Sequence, residues 1–207
     1  MSGPAADARS VLRSAARAPE SSPLLVLVGG PPAAGKSLVA DAVAGALGSV
    51  VLHKDAFKEP LMTAFGVRSV QDSQRLSTAA VLSLFAAAAA VLQRDLGLVL
   101  ESTFSSDDLD PIIALRHATS CVLLQVHVDA SPEVLAARWE GRIGHRHAGH
   151  MDAQRLPEMR ARLDAGTWDP LPLGAPLLRI DTSATESFDV VAWLAQLRRI
   201  PGAAATR

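Results

Sequence analysis

Leu24-Leu-Val-Leu-Val28-Gly-Gly30-Pro-Pro-Ala-Ala-Gly35-Lys36-Ser37 is the stretch on which the fold of this chain turns. Five apolar residues in a row suit a short strand covered on both faces, as in a parallel sheet. A glycine- and proline-rich turn follows. From Ser37 to Leu47, Leu38, Val39, Ala42, Val43, Ala46 and Leu47 then recur at helical spacing, and Gly48 is the stop. Gly30–Ser37 matches G-x-x-x-x-G-K-[ST] in the context that gives the motif its meaning, with a strand before and a helix after.

That arrangement predicts a phosphate-binding loop. Gly30 shapes the turn. The backbone N–H groups of Ala33, Ala34, Gly35, Lys36 and Ser37, with Leu38 next in line, are expected around a β-phosphate at the helix N-terminus. Lys36 is expected to neutralise β/γ charge, and the Ser37 hydroxyl to ligate Mg²⁺. Pro31 and Pro32 have no N–H and shape the loop without donating. The implied cofactors are ATP or GTP with Mg²⁺.

Outward from the loop, strands and helices alternate. Strands are expected at Val50–His53, Gly97–Glu101, Cys121–Val128 and Pro176–Ile180. Helices are expected at Ala56–Phe65, Asp72–Arg94, Asp107–Ala118, Pro132–Gly141, Asp152–Ala165 and Glu186–Arg198. The Ala-rich Asp72–Arg94 helix is expected to lie buried against the sheet. The pattern predicts a three-layer α/β domain over residues 23–200, with a central parallel five-stranded sheet and helices on both faces. Ligands then gather at the carboxyl ends of the strands. Residues 1–22 read as a flexible leader with a short helix around Asp7–Arg17, and residues 201–207 as a flexible tail.

The residues after each strand carry the chemistry. Asp55 follows the second strand, where a carboxylate can accept the proton of an attacking hydroxyl; it can instead cap the next helix. Glu101 ends an apolar run, which is Walker-B-like. It is a candidate for the Mg²⁺ shell beside Ser37, or for a substrate hydroxyl. Lys58 and Phe104 complete a candidate acceptor set of Asp55, Lys58, Glu101 and Phe104, with core packing an equal alternative for Phe104. Arg138 and Arg142, four apart on one helix face, are candidate catalytic groups of an Arg/His-rich lid at about 138–152, which Arg146 continues. His145, His147 and His150 lie close together without the cysteines or the spacing of a standard zinc site. Thr182, after the last strand, is suitably placed to touch a nucleotide base.

Bulk properties narrow the classes. The chain has 207 residues, 49% hydrophobic and 20% charged, with a formal net charge of −1. That supports one well-packed domain and gives no basic excess for a nucleic-acid partner. Cys121 is the sole cysteine, so no intrachain disulfide forms. Ala79–Leu92, interrupted by Ser83, is shorter than a membrane span. With no apolar leader segment, the expectation is a cytoplasmic protein without membrane or nucleic-acid partners. There is no N-K-x-D motif, as a GTPase switch would want. Oligomeric state is not legible.

GPPAAGKS, Asp55 after the second strand and the Arg138-x-x-x-Arg142 pair resemble the small P-loop kinases of the adenylate-kinase-like fold. Within these, the chain looks like the AAA-type "predicted kinase" group and the chloramphenicol phosphotransferase-like antibiotic kinases. The resemblance covers about residues 24–198. It implies a γ-phosphoryl transfer to the hydroxyl of a small molecule, such as an antibiotic or nucleoside-like compound, with Asp55 as base or substrate anchor. It also implies that Arg138 and Arg142 sit on the phosphates or the base. The alternatives are a nucleotide or coenzyme-precursor kinase, served by Arg68, Arg75 and Arg116, and a non-catalytic nucleotide-dependent switch. Ala33 and Ala34 depart from the Gly and Ser common in such loops, and are expected to leave phosphate binding undisturbed.

Overall fold

The computed structural model describes residues 22–166 and 168–184. Five parallel strands form one sheet in the order β2-β3-β1-β4-β5. These are β1 (Leu24–Gly29), β2 (Val50–His53), β3 (Leu98–Glu101), β4 (Val122–Asp129) and β5 (Leu177–Asp181). The helices are α1 (Lys36–Leu47), α2 (Lys54–Phe65), α3 (Val70–Leu92), α4 (Leu109–Thr119), α5 (Pro132–Arg142) and α6 (Asp152–Asp164). The expected helix at Glu186–Arg198, the tail, and the leader up to residue 21 lie outside the described residues.

Period-two alternation in β1 builds both faces of the core. Val26 and Val28 point into a cluster with Val39, Val43 and Leu47 of α1, Leu135 and Trp139 of α5, and Met159 and Leu163 of α6. Leu25 and Leu27 point the other way, onto Leu84, Phe85, Ala88 and Leu92 of α3 and Ile112 and Leu115 of α4. A strand covered on both sides therefore reads as a continuous apolar run. The chain leaves β1 for the β2 edge, returns to β3, and crosses to β4 on the far side. Side chains at the carboxyl ends of β1, β3 and β4 consequently meet at the reversal of strand order, where open α/β sheets hold ligands.

One expectation about the helices is corrected. The segment expected as one helix from Asp107 begins as a 3₁₀ turn, Ser106–Asp108, and becomes α-helical only at Leu109. Asp108 Oδ2 accepts from the Ser105 N–H at 2.8 Å, and this capping box favours a tight first turn. The Ala-rich α3 lies against the sheet as expected, through Leu84, Phe85, Ala88 and Leu92, while its opposite face is open. Ala80, Leu84 and Ala88 are sealed, while Leu82 is 63% exposed. By length and composition α3 could cross a membrane. Here it packs on α2 and α4 and turns Gln74, Ser77 and Thr78 toward a cavity.

Gly30 ties the loop to the sheet. Its φ is 130°, and a Cβ there would lie 1.9 Å from the Val128 carbonyl oxygen. No side-chain rotation relieves a clash with backbone. Gly30→Ala is expected to destabilise the fold by about 3 kcal/mol or more, from overpacking and backbone strain together. Urea unfolding measures this; a loss under about 1 kcal/mol would show that the loop gives way cheaply.

Candidate active site

At the carboxyl end of the sheet lies a cavity of about 600 Å³. Lys36 and Ser37 from the loop, Asp55 and Lys58 from α2, Glu101 from β3, and Arg142, Arg146 and His150 beyond them all line it. Sequence-distant groups are thus brought into one space by the strand order.

The loop turns through left-handed residues. Gly35, the N-cap of α1, has φ 85°, and Ala33 has φ 68°. Gly35 adopts this at little cost, whereas a residue with a Cβ loses roughly 1–2 kcal/mol. The Ala33 departure from the common Gly therefore carries backbone strain, which the sequence did not show. Lys36 Nζ donates to the Pro31 carbonyl at 2.7 Å. Burial pulls its pKa down to about 8, against the pull of Glu101 the other way. An anionic ligand here would restore the charged form. Ser37 and Leu38 at the helix start are exposed, Leu38 by 78%.

Glu101 faces His53 in the β2–β3 register. His53 Nδ1 lies 3.2 Å from Glu101 Oε2, and its Nε2 lies 2.8 Å from Asp41 Oδ1. With a carboxylate on each nitrogen the ring holds both protons. The Glu101 bond raises its pKa to about 9, burial opposing and Asp41 adding. An unfolded histidine titrates near 6.5. Because the folded pKa is the higher one, this stabilisation is full below about pH 6.5 and is lost as pH rises through 9. Melting temperature is therefore expected to fall between pH 6.5 and 9.5, and to fall less in His53→Gln. The same slope in both proteins would assign the loss to other groups.

Asp55 sits in the first turn of α2. Its Oδ2 accepts from Arg146 Nη2 at 2.5 Å, and Lys54 Nζ lies 3.4 Å from Oδ1. Oδ1 is buried and accepts no hydrogen bond among the described residues. Burial raises the pKa of this carboxyl, but Lys54, Arg146, His150 and Lys58 overcome it and hold it at about 2. The group is an anion throughout the neutral range.

The expected lid arginines part company. Arg142 stacks over the Trp139 ring at 3.9 Å and donates to Asp152 Oδ1 at 3.1 Å. Burial and then Arg146 lower its pKa to about 10. Arg138 is not brought to the cavity. Its Nη1 donates to Thr182 Oγ1 at 2.9 Å and its Nη2 to the Thr182 carbonyl at 2.7 Å. Thr182 Oγ1 in turn donates to the Ala34 or Asp129 carbonyl, each 3.0 Å away. These bonds tie Thr182, and through it the Arg138 guanidinium, to the phosphate loop. Phe104 takes the packing alternative: its ring lies against Gly29 among the apolar residues under α3.

The three histidines go three ways. His145 is exposed, His147 accepts from the Gly149 N–H at 3.0 Å, and His150 is buried with Nε2 2.9 Å from Glu59 Oε1. His150 instead joins Asp55 and Glu59 in a group with metal-ligand spacing, but Arg146 Nη2 already lies against both Asp55 and His150. Arg68 and Arg75 line a separate hollow beside Phe65. Sequence reasoning missed the Arg146–Asp55 pair, the His53 clamp on Glu101, and Lys54, Asp152 and Arg155 in the cavity wall. Only the Walker-B-like position of Glu101 offered a signal for its neighbour His53, through strand pairing.

Residues 25–165 match a family described as an AAA domain, AAA_33. A candidate kinase from Chloroflexus aurantiacus J-10-fl is 35% identical and superposes with a TM-score of 0.80, covering 87% of this chain and 99% of that one. A sugar kinase from Janibacter sp. HTCC2649 is 18% identical with a TM-score of 0.54, covering 89% and 99%, a likeness of fold alone. No curated protein matches. With the phosphate loop, the strand order and the family match in agreement, this chain belongs to the AAA domain family AAA_33 and has the α/β P-loop kinase fold.

Proposed function

We propose that this protein is an ATP- and Mg²⁺-dependent phosphotransferase that moves the γ-phosphoryl group to a hydroxyl of a small molecule. The observation that carries this reading is that the phosphate loop and the anionic Asp55 open into one cavity, with Asp55 Oδ1, 3.4 Å from Lys54 Nζ, accepting no hydrogen bond among the described residues. A loop built only to hold nucleotide has no use for such an acceptor beside it.

In this reading the substrate hydroxyl donates to Asp55. Its oxygen forms the new bond to phosphorus as the bond from phosphorus to the β-bridging oxygen breaks, and the nucleoside diphosphate leaves. A carboxylate with a pKa near 2 is a weak base, so Asp55 chiefly orients the hydroxyl and takes its proton late. Lys36 and Arg142 face the transferred group, and Arg146 reaches it once it leaves Asp55. The segment from Arg138 to Asp152 acts as the lid. Ser37 and Glu101 supply a hydroxyl and a carboxylate oxygen on the cavity wall, a donor set that suits Mg²⁺. When bound, that ion neutralises β/γ charge. Thr182 and Arg138 border the nucleotide at its base end.

Gln74, Ser77, Thr78, Ser102 and Thr103 make the far wall hydroxyl- and amide-rich, which suits a polyhydroxylated acceptor such as a sugar, nucleoside or hydroxylated antibiotic. The antibiotic reading rests on the sequence resemblance alone. The test is a transfer assay with ATP or GTP and Mg²⁺ against antibiotics, nucleosides, sugars and nucleotide monophosphates, read by mass spectrometry for an added phosphoryl group. A phosphorylated product names the acceptor class. Tight nucleotide binding with no transfer to any acceptor would favour a nucleotide-dependent switch.

A further inference from the structure

Lys58 is a buried cation with no ion pair among the described residues. It lines the wall yet is 1% exposed, and its one hydrogen bond among the described residues is to a neutral hydroxyl, Ser73 Oγ, at 3.1 Å. A buried ammonium normally has an anion beside it. The two nearby carboxylates are engaged elsewhere, Asp55 Oδ2 with Arg146 and Glu59 with His150. The charges felt at Lys58 are one carboxylate, Asp55, against three further cations, Lys54, Arg155 and Arg146. Burial, and Lys54 after it, bring its pKa down to about 7. Arg155, from the first turns of α6, lines the same cavity.

We propose that Lys58, assisted by Arg155, is an anion subsite for the acceptor, so that the acceptor is a hydroxylated molecule bearing a carboxylate or phosphate group. The inference rests on the kinase reading and narrows it. Lys58 lies three residues after Asp55, and side chains at that spacing share a helix face with Cβ atoms ~5–6 Å apart. A hydroxyl on Asp55 and an anionic group on Lys58 thus belong to one small molecule, a few bonds apart. The anion supplies the charge-assisted partner that Lys58 lacks and offsets its repulsion from Lys54 and Arg155. Arg68 and Arg75, which sit at the other hollow, have no part in this.

The test uses the full chain with its phosphate loop filled by a non-hydrolysable ATP analogue and Mg²⁺. Glycerol, glycerate and glycerol 3-phosphate are titrated calorimetrically into wild type, Lys58→Gln and Arg155→Gln. At least one anion is expected to bind better than glycerol, and to bind about tenfold or more weakly in Lys58→Gln. Preference for glycerate or glycerol 3-phosphate distinguishes the carboxylate from the phosphate. Analogue binding in the same cell reports that each variant is folded, and Arg155→Gln carries the test if Lys58→Gln is not. Three results overturn the proposal: no anion bound, glycerol bound equally well, or anion binding unchanged in every folded variant. Each leaves nucleotide binding and transfer untouched, and so is separate from a failure of the kinase reading.

Discussion

Asp55→Asn is expected to lower kcat by about 10²–10⁴, the range for loss of a positioned proton acceptor. Nucleotide affinity is expected to hold or tighten. Asn keeps the shape but removes a carboxylate held at a pKa of about 2 beside Lys54, Arg146 and Lys58. The positive potential facing the nucleotide therefore rises as the proton acceptor disappears. The amide also releases Arg146 from its 2.5 Å contact, which makes that arginine more available to the phosphates. Steady-state kinetics and nucleotide titration of the same preparation separate the two effects. Turnover within a few-fold of wild type would remove Asp55 from the mechanism and leave it as a cap and lid anchor.

Lys36→Met is the second large effect, and its signature is opposite in stability and activity. Lys36 is 7% exposed, its pKa lies near 8 through burial, and its amine rests on the Pro31 carbonyl. Methionine of similar length removes the desolvation cost of a buried charge, so the ligand-free protein is expected to melt at the same temperature or higher. In the proposed transfer the phosphoryl group loses the cation of the phosphate loop, and kcat/KM is expected to fall on the order of 10²–10³. Calorimetry and single-turnover transfer read the two quantities separately. A variant that melts much lower would show instead that the Lys36–Pro31 bond holds the loop together.

Much of the fold is local, and so it was legible. Leu24–Val28, GPPAAGKS and the Ser37–Leu47 helix each carry their own pattern, and the structure places the strand, loop and helix within a residue of where the pattern puts them. Val50–His53 reads directly as β2, and Gly97–Glu101 loses only its first residue. The extent of burial around α3 was not legible. A helix rich in alanine has too little side-chain variation for periodicity to show which face meets the sheet. Arg138 and Arg142 diverge because spacing on one helix places both side chains together without fixing which neighbour each finds. Thr182 lies 44 residues from Arg138, and it takes that guanidinium.

The site divides along the same line. Gly30–Ser37 was readable because a phosphate loop is made by consecutive backbone N–H groups and a helix end, all set by adjacent residues. Asp55 and Glu101 were readable as positions, since Asp55 follows β2, Glu101 ends β3, and strands of a parallel sheet end on one side. Tertiary structure alone decided the partners. Arg146 meets Asp55 across 91 residues, His53 clamps Glu101 across 48, and Lys58 of α2 bonds to Ser73 of α3 among more cations than carboxylates. Short-range geometry follows from backbone periodicity and is written in the sequence. The charge each buried group feels depends on which distant side chains packing brings within a few ångströms, and that was settled only by the fold.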